Sequence, residues 1–162
     1  MIKLRDVKNE DLCILENMAN TIWRECYTVL LGINQVEYMI ENFQSQKSFS
    51  SQMANGYEYY FLEREGDMVG YLGIQQQEDR MFLSKLYLKG EYHGKGIAQQ
   101  VLKELVAIAK ARKLGSIYLT VNKGNEKAIK AYERFGFIKT DSIVTDIGCG
   151  FVMDDYVYTY CL

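Results

Sequence analysis

Proline is absent from all 162 residues, where average usage of ~5% would give about eight. That removes proline-rich linkers, polyproline recognition segments and proline-marked domain boundaries. Gly and Ser do not gather into a linker and no internal repeat is present, so a single domain over residues 1–162 is expected. Histidine is nearly absent too, His93 being the only one. The four cysteines, Cys13, Cys26, Cys149 and Cys161, lie far apart with no CxxC spacing and none near His93. Structural zinc needs four ligands at characteristic spacings, so no metal is expected. Free thiols in a reducing cytosol are the better reading. A Ser-His-Asp hydrolase would have only His93 as its base, and that residue has a better reading in a glycine loop.

An excess of one charge is missing as well. Lys plus Arg number 19 against 21 Asp plus Glu, a formal net charge of −2. Such a balance lacks the positive field of a dedicated nucleic-acid binder, so no nucleic-acid partner is expected. No apolar run approaches the ~20 residues of a membrane span. The start, Met1-Ile2-Lys3-Leu4-Arg5-Asp6, is charged at once, unlike a secretory signal. No membrane partner and a cytoplasmic location follow as expectations. What is present is a 48% hydrophobic, 25% charged chain. A chain of this length can bury about 70% of its unfolded surface.

Periodicity gives the element order. Residues 2–5 alternate apolar and polar, as a short strand does. From Asn9 onward the period changes: Leu12, Leu15, Met18 or Ala19, Ile22 and Cys26 step by three or four, which predicts an amphipathic helix. A second helix is expected from Asn34, as N-cap, to about Phe43, and residues 44–55 have room for a further helical turn. Three strands follow at 58–63, 68–74 and 81–88, with Gly66-Asp67 and Glu78-Asp79-Arg80 as turns, hence an antiparallel meander. A glycine-bearing loop over 89–96 leads into a long helix to about Lys113. A strand at 116–121 then requires a parallel, right-handed crossover. A helix over about 126–135, capped by Asn125 and stopped by Gly136, precedes strands at 137–144 and 156–162. The fold class is mixed α/β: a meander, one parallel βαβ unit and an antiparallel tail.

The chemistry-bearing segment is Tyr87-Leu88-Lys89-Gly90-Glu91-Tyr92-His93-Gly94-Lys95-Gly96-Ile97-Ala98. A glycine turn between a strand and a helix N-terminus presents backbone N–H groups and the positive helix end to an anion. Two common phosphate cradles fail on spelling. A P-loop needs GxxxxGK followed by Ser or Thr, and Gly90 to Gly94 is one residue short. A dinucleotide fingerprint needs a third glycine where Gln99 stands, and an acidic residue after the following strand, which is absent.

His93-Gly94-Lys95-Gly96-Ile97-Ala98 resembles the acetyl-CoA loop of the GNAT superfamily of N-acyltransferases, marked by Gln/Arg-x-x-Gly-x-Gly/Ala, with His at the Gln/Arg position. A second mark follows at the family's distance, Asn125-x-x-Ala128-x-x-x-Tyr132 and then Phe135-Gly136-Phe137. The close resemblance covers about residues 86–137. It implies a central, mostly antiparallel seven-stranded sheet, flanked by helices, in which strands 4 and 5 form a splayed parallel pair. It also implies an N-acetyltransferase that forms a ternary complex with acetyl-CoA as co-substrate, no metal, and a small-molecule or protein amine as acceptor, acting as monomer or homodimer. A non-catalytic acyl-CoA sensor is the alternative.

Carried over residue by residue, the resemblance implies that the backbone of Leu86, Tyr87 and Leu88 binds the pantetheine arm. Amides of His93, Gly94, Lys95, Gly96, Ile97, Ala98 and Gln99 would hold the pyrophosphate. Asn125, with Ala128 beside it, would meet the cofactor arm, and Tyr132 would protonate the departing thiolate. Such a phenol, with pKa ≈ 10, keeps its proton at neutral pH. Trp23 and Tyr27 are read equally as acceptor-pocket wall or core. The family often places a Glu on its fourth strand as base, but residues 81–88 contain no acid, only Ser84 and Lys85. Water relayed through Ser84, or a carboxylate from Glu25, Glu37, Asp154 or Asp155, is left to serve. Of these, Asp154 and Asp155 read first as the solvated start of the last strand. Tyr156, Tyr158 and Tyr160 share one face of that strand.

Overall fold

Strands and helices of three- to four-residue apolar period follow one another in the order that the sequence pattern predicts. The strands are β1 (Ile2–Asp6), β2 (Tyr57–Arg64), β3 (Asp67–Gln77), β4 (Arg80–Leu88), β5 (Ser116–Asn122), β6 (Ile138–Gly148) and β7 (Phe151–Cys161). The helices are α1 (Leu12–Leu31), α2 (Ile33–Phe43), α3 (Gln46–Ala54), α4 (Ile97–Ala111) and α5 (Glu126–Phe135). A computed structural model describes all residues, 1–162. Its seven strands form one sheet of order β1-β2-β3-β4-β5-β7-β6.

Antiparallel ladders join β1 to β2, β2 to β3, β5 to β7 and β6 to β7. The short turn between neighbouring β3 and β4 requires the same sense there. β4 and β5 pair in parallel from Arg80↔Ser116 to Leu83↔Leu119, where the ladder stops although both strands run on. The mixed α/β fold with a parallel fourth and fifth strand is therefore present.

Three details depart from the sequence reading. Gly32, at φ +84°, stands at the N-cap of α2 in place of Asn34. Residues 44–55 hold a complete helix, whose N-cap Ser45 accepts a bond from the Ser48 amide. β6 and β7 are longer than expected and meet at a tight turn in which Cys149 and Gly150 both have positive φ (51° and 79°). The β6 arm of that hairpin is largely exposed and polar, so apolar alternation did not mark it.

Cα packing divides the chain into two compact units, Met1–Gln75 with Lys85–Ile97, and Gln76–Ser84 with Ala98–Leu162. In the first, Leu15, Ala19, Ile22, Phe49, Phe61 and Tyr71 form a buried core. A buried polar chain crosses it: the Trp23 indole donates to the Tyr71 hydroxyl (3.1 Å), which donates to Gln44 Oε1 (2.8 Å). Gly70 is required by close approach, because a Cβ there would strike the Tyr87 carbonyl oxygen. In the second unit Val101, Leu102, Leu105 and Ala109 of α4, Ile117 and Leu119 of β5, and Phe137 and Tyr158 are buried. No helix is long and apolar enough to cross a membrane.

The first unit also buries a lysine without a carboxylate. Lys85 is 7% exposed. Its amine donates to Gln52 Oε1 (3.0 Å) and the Tyr59 hydroxyl (2.7 Å) and lies over the Phe49, Tyr57 and Tyr59 rings. Desolvation lowers its pKa to about 7. The unfolded chain therefore holds a proton that the folded chain gives up, so stability rises with pH between 7 and about 10, above which the unfolded amine is neutral too. Lys85→Met keeps the length and removes the charge, while Tyr59 still donates to Gln52. Thermal unfolding at pH 7 is expected to move up by ~3 °C or more, and the rise in stability from pH 7 to 9 should flatten. A variant less stable than the parent at pH 7, with the same pH slope, contradicts this.

Candidate functional site

The loop after β4 is built from its backbone outward. Residues 90–92 make a single 3-10 turn, with the amides of Tyr92 and His93 donating to Lys89 and Gly90 carbonyls (2.9 and 3.2 Å). The exposed His93 ring turns back, its Nε2 at 2.9 Å from the Leu88 carbonyl oxygen. A carbonyl only accepts, so that nitrogen carries a proton, and His93 closes the loop onto the strand. Gly94 and Gly96 follow at φ +73° and +75°, a region that side chains disfavour. A Cβ at either would meet nothing within 4 Å, so the space before these backbones is open. Lys95 lies between them, its ammonium 5.8 Å from the Tyr92 ring centroid.

Ile97, 1% exposed, anchors the start of α4. The first-turn amides of Ile97, Ala98 and Gln99 have no intrahelical acceptor, and the positive end of the helix adds to their pull on an anion. The Gln99 side chain is committed elsewhere, donating to the Ala131 carbonyl of α5 (2.9 Å). That bond had no signal in the sequence beyond a polar residue at a third-glycine position.

On β4, Leu86, Tyr87 and Leu88 are half-buried and lie beyond the last residue paired with β5. The Tyr87 ring packs against Trp23, Tyr27 and Tyr71 (5.3, 5.7 and 5.4 Å between centroids), which fixes this stretch of the strand. Trp23 is 3% exposed and stacks on Tyr27 at 4.6 Å, so Trp23 sits in the core of the first unit and Tyr27 at its half-buried margin.

Helix α5 is set by its caps. Asn125 Oδ1 accepts from the Ala128 amide (3.3 Å), and Gly136, at φ +121°, stops the helix. The amides of Gly136 and Phe137 both donate to the Tyr132 carbonyl (3.2 and 3.0 Å), and Gly136 shares its amide with the Glu133 carbonyl (3.1 Å). The Tyr132 ring meets Phe137 edge-on at 5.7 Å. No protein group hydrogen-bonds its hydroxyl. The residue as a whole is partly exposed, yet desolvation at the phenol pushes its pKa up to about 12. At neutral pH Tyr132 is a proton donor and not a base.

Ser84, half-buried, is the last β4 residue of the second unit. The four carboxylates left open by the sequence now differ sharply. Glu25 is exposed and lines a groove of about 560 Å³ with Ile14, Met18, Met68 and Glu91. Glu37 is clamped by the Arg24 guanidinium (2.7 and 3.0 Å), whose hydrogen bond holds its carboxyl below the usual range. Asp154 is exposed and paired with Lys123 at 2.7 Å. Asp155 is 5% exposed and its Oδ1 has no partner. Burial first, then the charge of Asp154, pushes its pKa up to about 6, against a smaller lowering by Lys123. β7 begins at Phe151, so neither aspartate starts the strand; Asp154 is solvated as expected, and Asp155 is not. No three His, Cys, Asp or Glu side chains come together as a metal site would need.

Comparison with known proteins identifies the family. Residues 17–137 match the model of the acetyltransferase (GNAT) family. Spermidine N(1)-acetyltransferase of Thermoplasma acidophilum is 26% identical over 158 residues, covering 94% of this chain and 96% of that protein. Spermine/spermidine N(1)-acetyltransferase of Bacillus subtilis is 36% identical over 85 residues, which span 47% of this chain and 56% of the relative. The crystal structure of the PaiA N-acetyltransferase of Thermoplasma acidophilum in complex with coenzyme A shares the fold. It superposes with a TM-score of 0.82 at 22% identity, over 100% of this chain and 99% of that one. The seven-stranded order, the glycine turn before α4 and the capped tyrosine helix thus coincide with a family match over most of the sequence, and the chain belongs to the GNAT acetyltransferase family.

Proposed function

We propose that the protein transfers the acetyl group of acetyl-CoA directly to an amine. The observation that carries this reading is the backbone at the start of α4: two glycines of positive φ before open space, followed by first-turn amides that have no intrahelical acceptor. A pyrophosphate fits such a cradle by charge and by donor geometry. The unladdered backbone of Leu86, Tyr87 and Leu88 offers an edge along which an extended pantetheine arm adds like a strand. Asn125 and Ala128 start the helix that carries Tyr132.

The residues then divide the work. The glycine-loop amides hold the cofactor's negative end, and the β4 edge aligns the thioester, an orientation effect worth several kcal/mol. A β4 amide meets the developing oxyanion. Tyr132, protonated well above neutral pH, supplies the proton that the departing thiolate takes. Among acceptors, aliphatic polyamines are the first class to test, because the relatives named above are spermine and spermidine acetyltransferases. The test is thiol release from acetyl-CoA with a panel of polyamines, amino acids and peptide N-termini. Release that depends on an amine supports the reading. CoA binding without release under any amine would mean a sensor and not a transferase.

Two substitutions probe the halves separately. Gly96→Glu costs roughly 1–2 kcal/mol of backbone strain, since no neighbour is struck, so the fold survives. The new carboxylate blocks and repels the pyrophosphate, and calorimetry should find CoA affinity reduced at least ~10-fold. Unchanged affinity in the folded variant removes the loop assignment. Tyr132→Phe keeps the ring and its carbonyl caps and deletes only the proton. It is expected to lower kcat by roughly 10²-fold while CoA titration stays near the parent value. Parental kcat at every pH would leave Tyr132 a packing residue.

A further inference from the structure

An ionisable carboxyl buried without a partner is costly, and a fold that keeps one keeps it against stability. Asp155 is such a group, and its place in the sheet is well defined. It pairs with Asn122 across the β5–β7 ladder, three residues beyond Leu119, where the β4–β5 ladder ends. Between Asp155 and Cys161 that register is unbroken, so side chains alternate strictly between the two faces. Tyr158 donates to Glu133 of α5 (2.9 Å), and Tyr160 packs on Phe135 and Phe137 (5.3 and 5.4 Å). The even-numbered face therefore lies under the helix that carries Tyr132, and Asp155 lies on the other face, beside Asn122 and Val157.

We infer that Asp155 receives the acceptor's ammonium group and takes its proton, on the face of the sheet opposite the Tyr132 helix. This rests on the transferase reading above. The competing carboxylates are already occupied or solvated: Glu37 by Arg24, Asp154 by Lys123, and Glu25 on an exposed groove. The charges acting on Asp155 are Asp154 beside it on β7 and Lys123 just past the end of β5; across β6 its partner is the uncharged Ile143. An arriving ammonium supplies the hydrogen-bond donor that Oδ1 lacks. A carboxyl poised at about 6 is ionised at neutral pH yet basic enough to accept a proton.

The step balances. The ammonium gives one proton to the Asp155 carboxylate. The freed nitrogen lone pair forms the N–C bond to the thioester carbonyl carbon, and the C–S bond breaks with its electron pair on sulfur. Tyr132 protonates that sulfur and is itself restored by the second proton leaving the nitrogen. Amide and free thiol remain, and Asp155 releases its proton to solvent.

The test compares parent, Asp155→Asn and Asp155→Glu with spermidine and acetyl-CoA, alongside thermal unfolding and calorimetric binding of CoA and of spermidine. Removing an unpartnered buried charge should leave the unfolding midpoint of Asp155→Asn at or above the parent's and CoA affinity unchanged. Its kcat/KM for spermidine should fall by ~10²-fold, and the parent's acid limb near pH 6 should vanish from its profile. Asp155→Glu should recover part of the rate and keep a limb. If the parent turns over but Asp155→Asn matches its kcat/KM and pH profile, this inference is wrong and the transferase reading stands. If the parent turns over no amine, the transferase reading fails, and binding decides for Asp155: spermidine affinity at least ~10-fold weaker in Asp155→Asn supports the ammonium site, and equal affinity overturns it.

Discussion

Backbone groups at the end of a ladder must find partners elsewhere, and the four-pair ladder between β4 and β5 is the constraint on which the rest depends. A strand that loses one neighbour keeps its shape only if the other neighbour holds it. On β5 the full seven-residue register with β7, from Ser116↔Cys161 to Asn122↔Asp155, does this. On β4 the hold comes from β3: Gly70 lets the backbones approach closely at Tyr87, and the Lys89 amide donates to the Val69 carbonyl (2.9 Å). Tyr87 and Lys85, one in an aromatic cluster and one in a tyrosine cage, pin the same stretch through its side chains. β4 is thus held firmly along the stretch that β5 leaves unpaired.

Three titratable groups are each displaced by desolvation, with different consequences. Lys85 is driven toward the neutral amine, which lowers stability and adds nothing to the proposed chemistry. Tyr132 and Asp155 are both raised, to about 12 and about 6, so one stays a donor and the other becomes a usable acceptor near neutral pH. Environment, and not residue type alone, sets the two groups apart on two faces of one sheet.

The helices and strands that frame the site were legible because their signals are local. Asn125 and Gly136 bracket α5 by capping chemistry, and Gly94 and Gly96 mark positive φ by residue type alone. Ile97, Val101 and Leu105 expose the buried face of α4 through their spacing. What sequence could not supply was which polar residue is buried by contacts distant in the chain. Asp154 and Asp155 are identical neighbours, and only their alternation within β7, which begins at Phe151, separates the exposed one from the buried one. Lys85 looked like an ordinary strand residue until Gln52 and Tyr59 closed on it from α3 and β2. Trp23 and Tyr27, equal on paper, separate once Tyr71 accepts the indole proton.

The central claim is that bare backbone, on β4 and at the start of α4, is what binds the cofactor. Amide hydrogen exchange resolved by residue, with and without saturating CoA, tests it most directly. Protection is expected to rise at Gly94 to Gln99 and within Leu86 to Leu88, and to change little along the exposed β6–β7 hairpin tip. Bound CoA that leaves the exchange of both stretches unchanged would contradict the account.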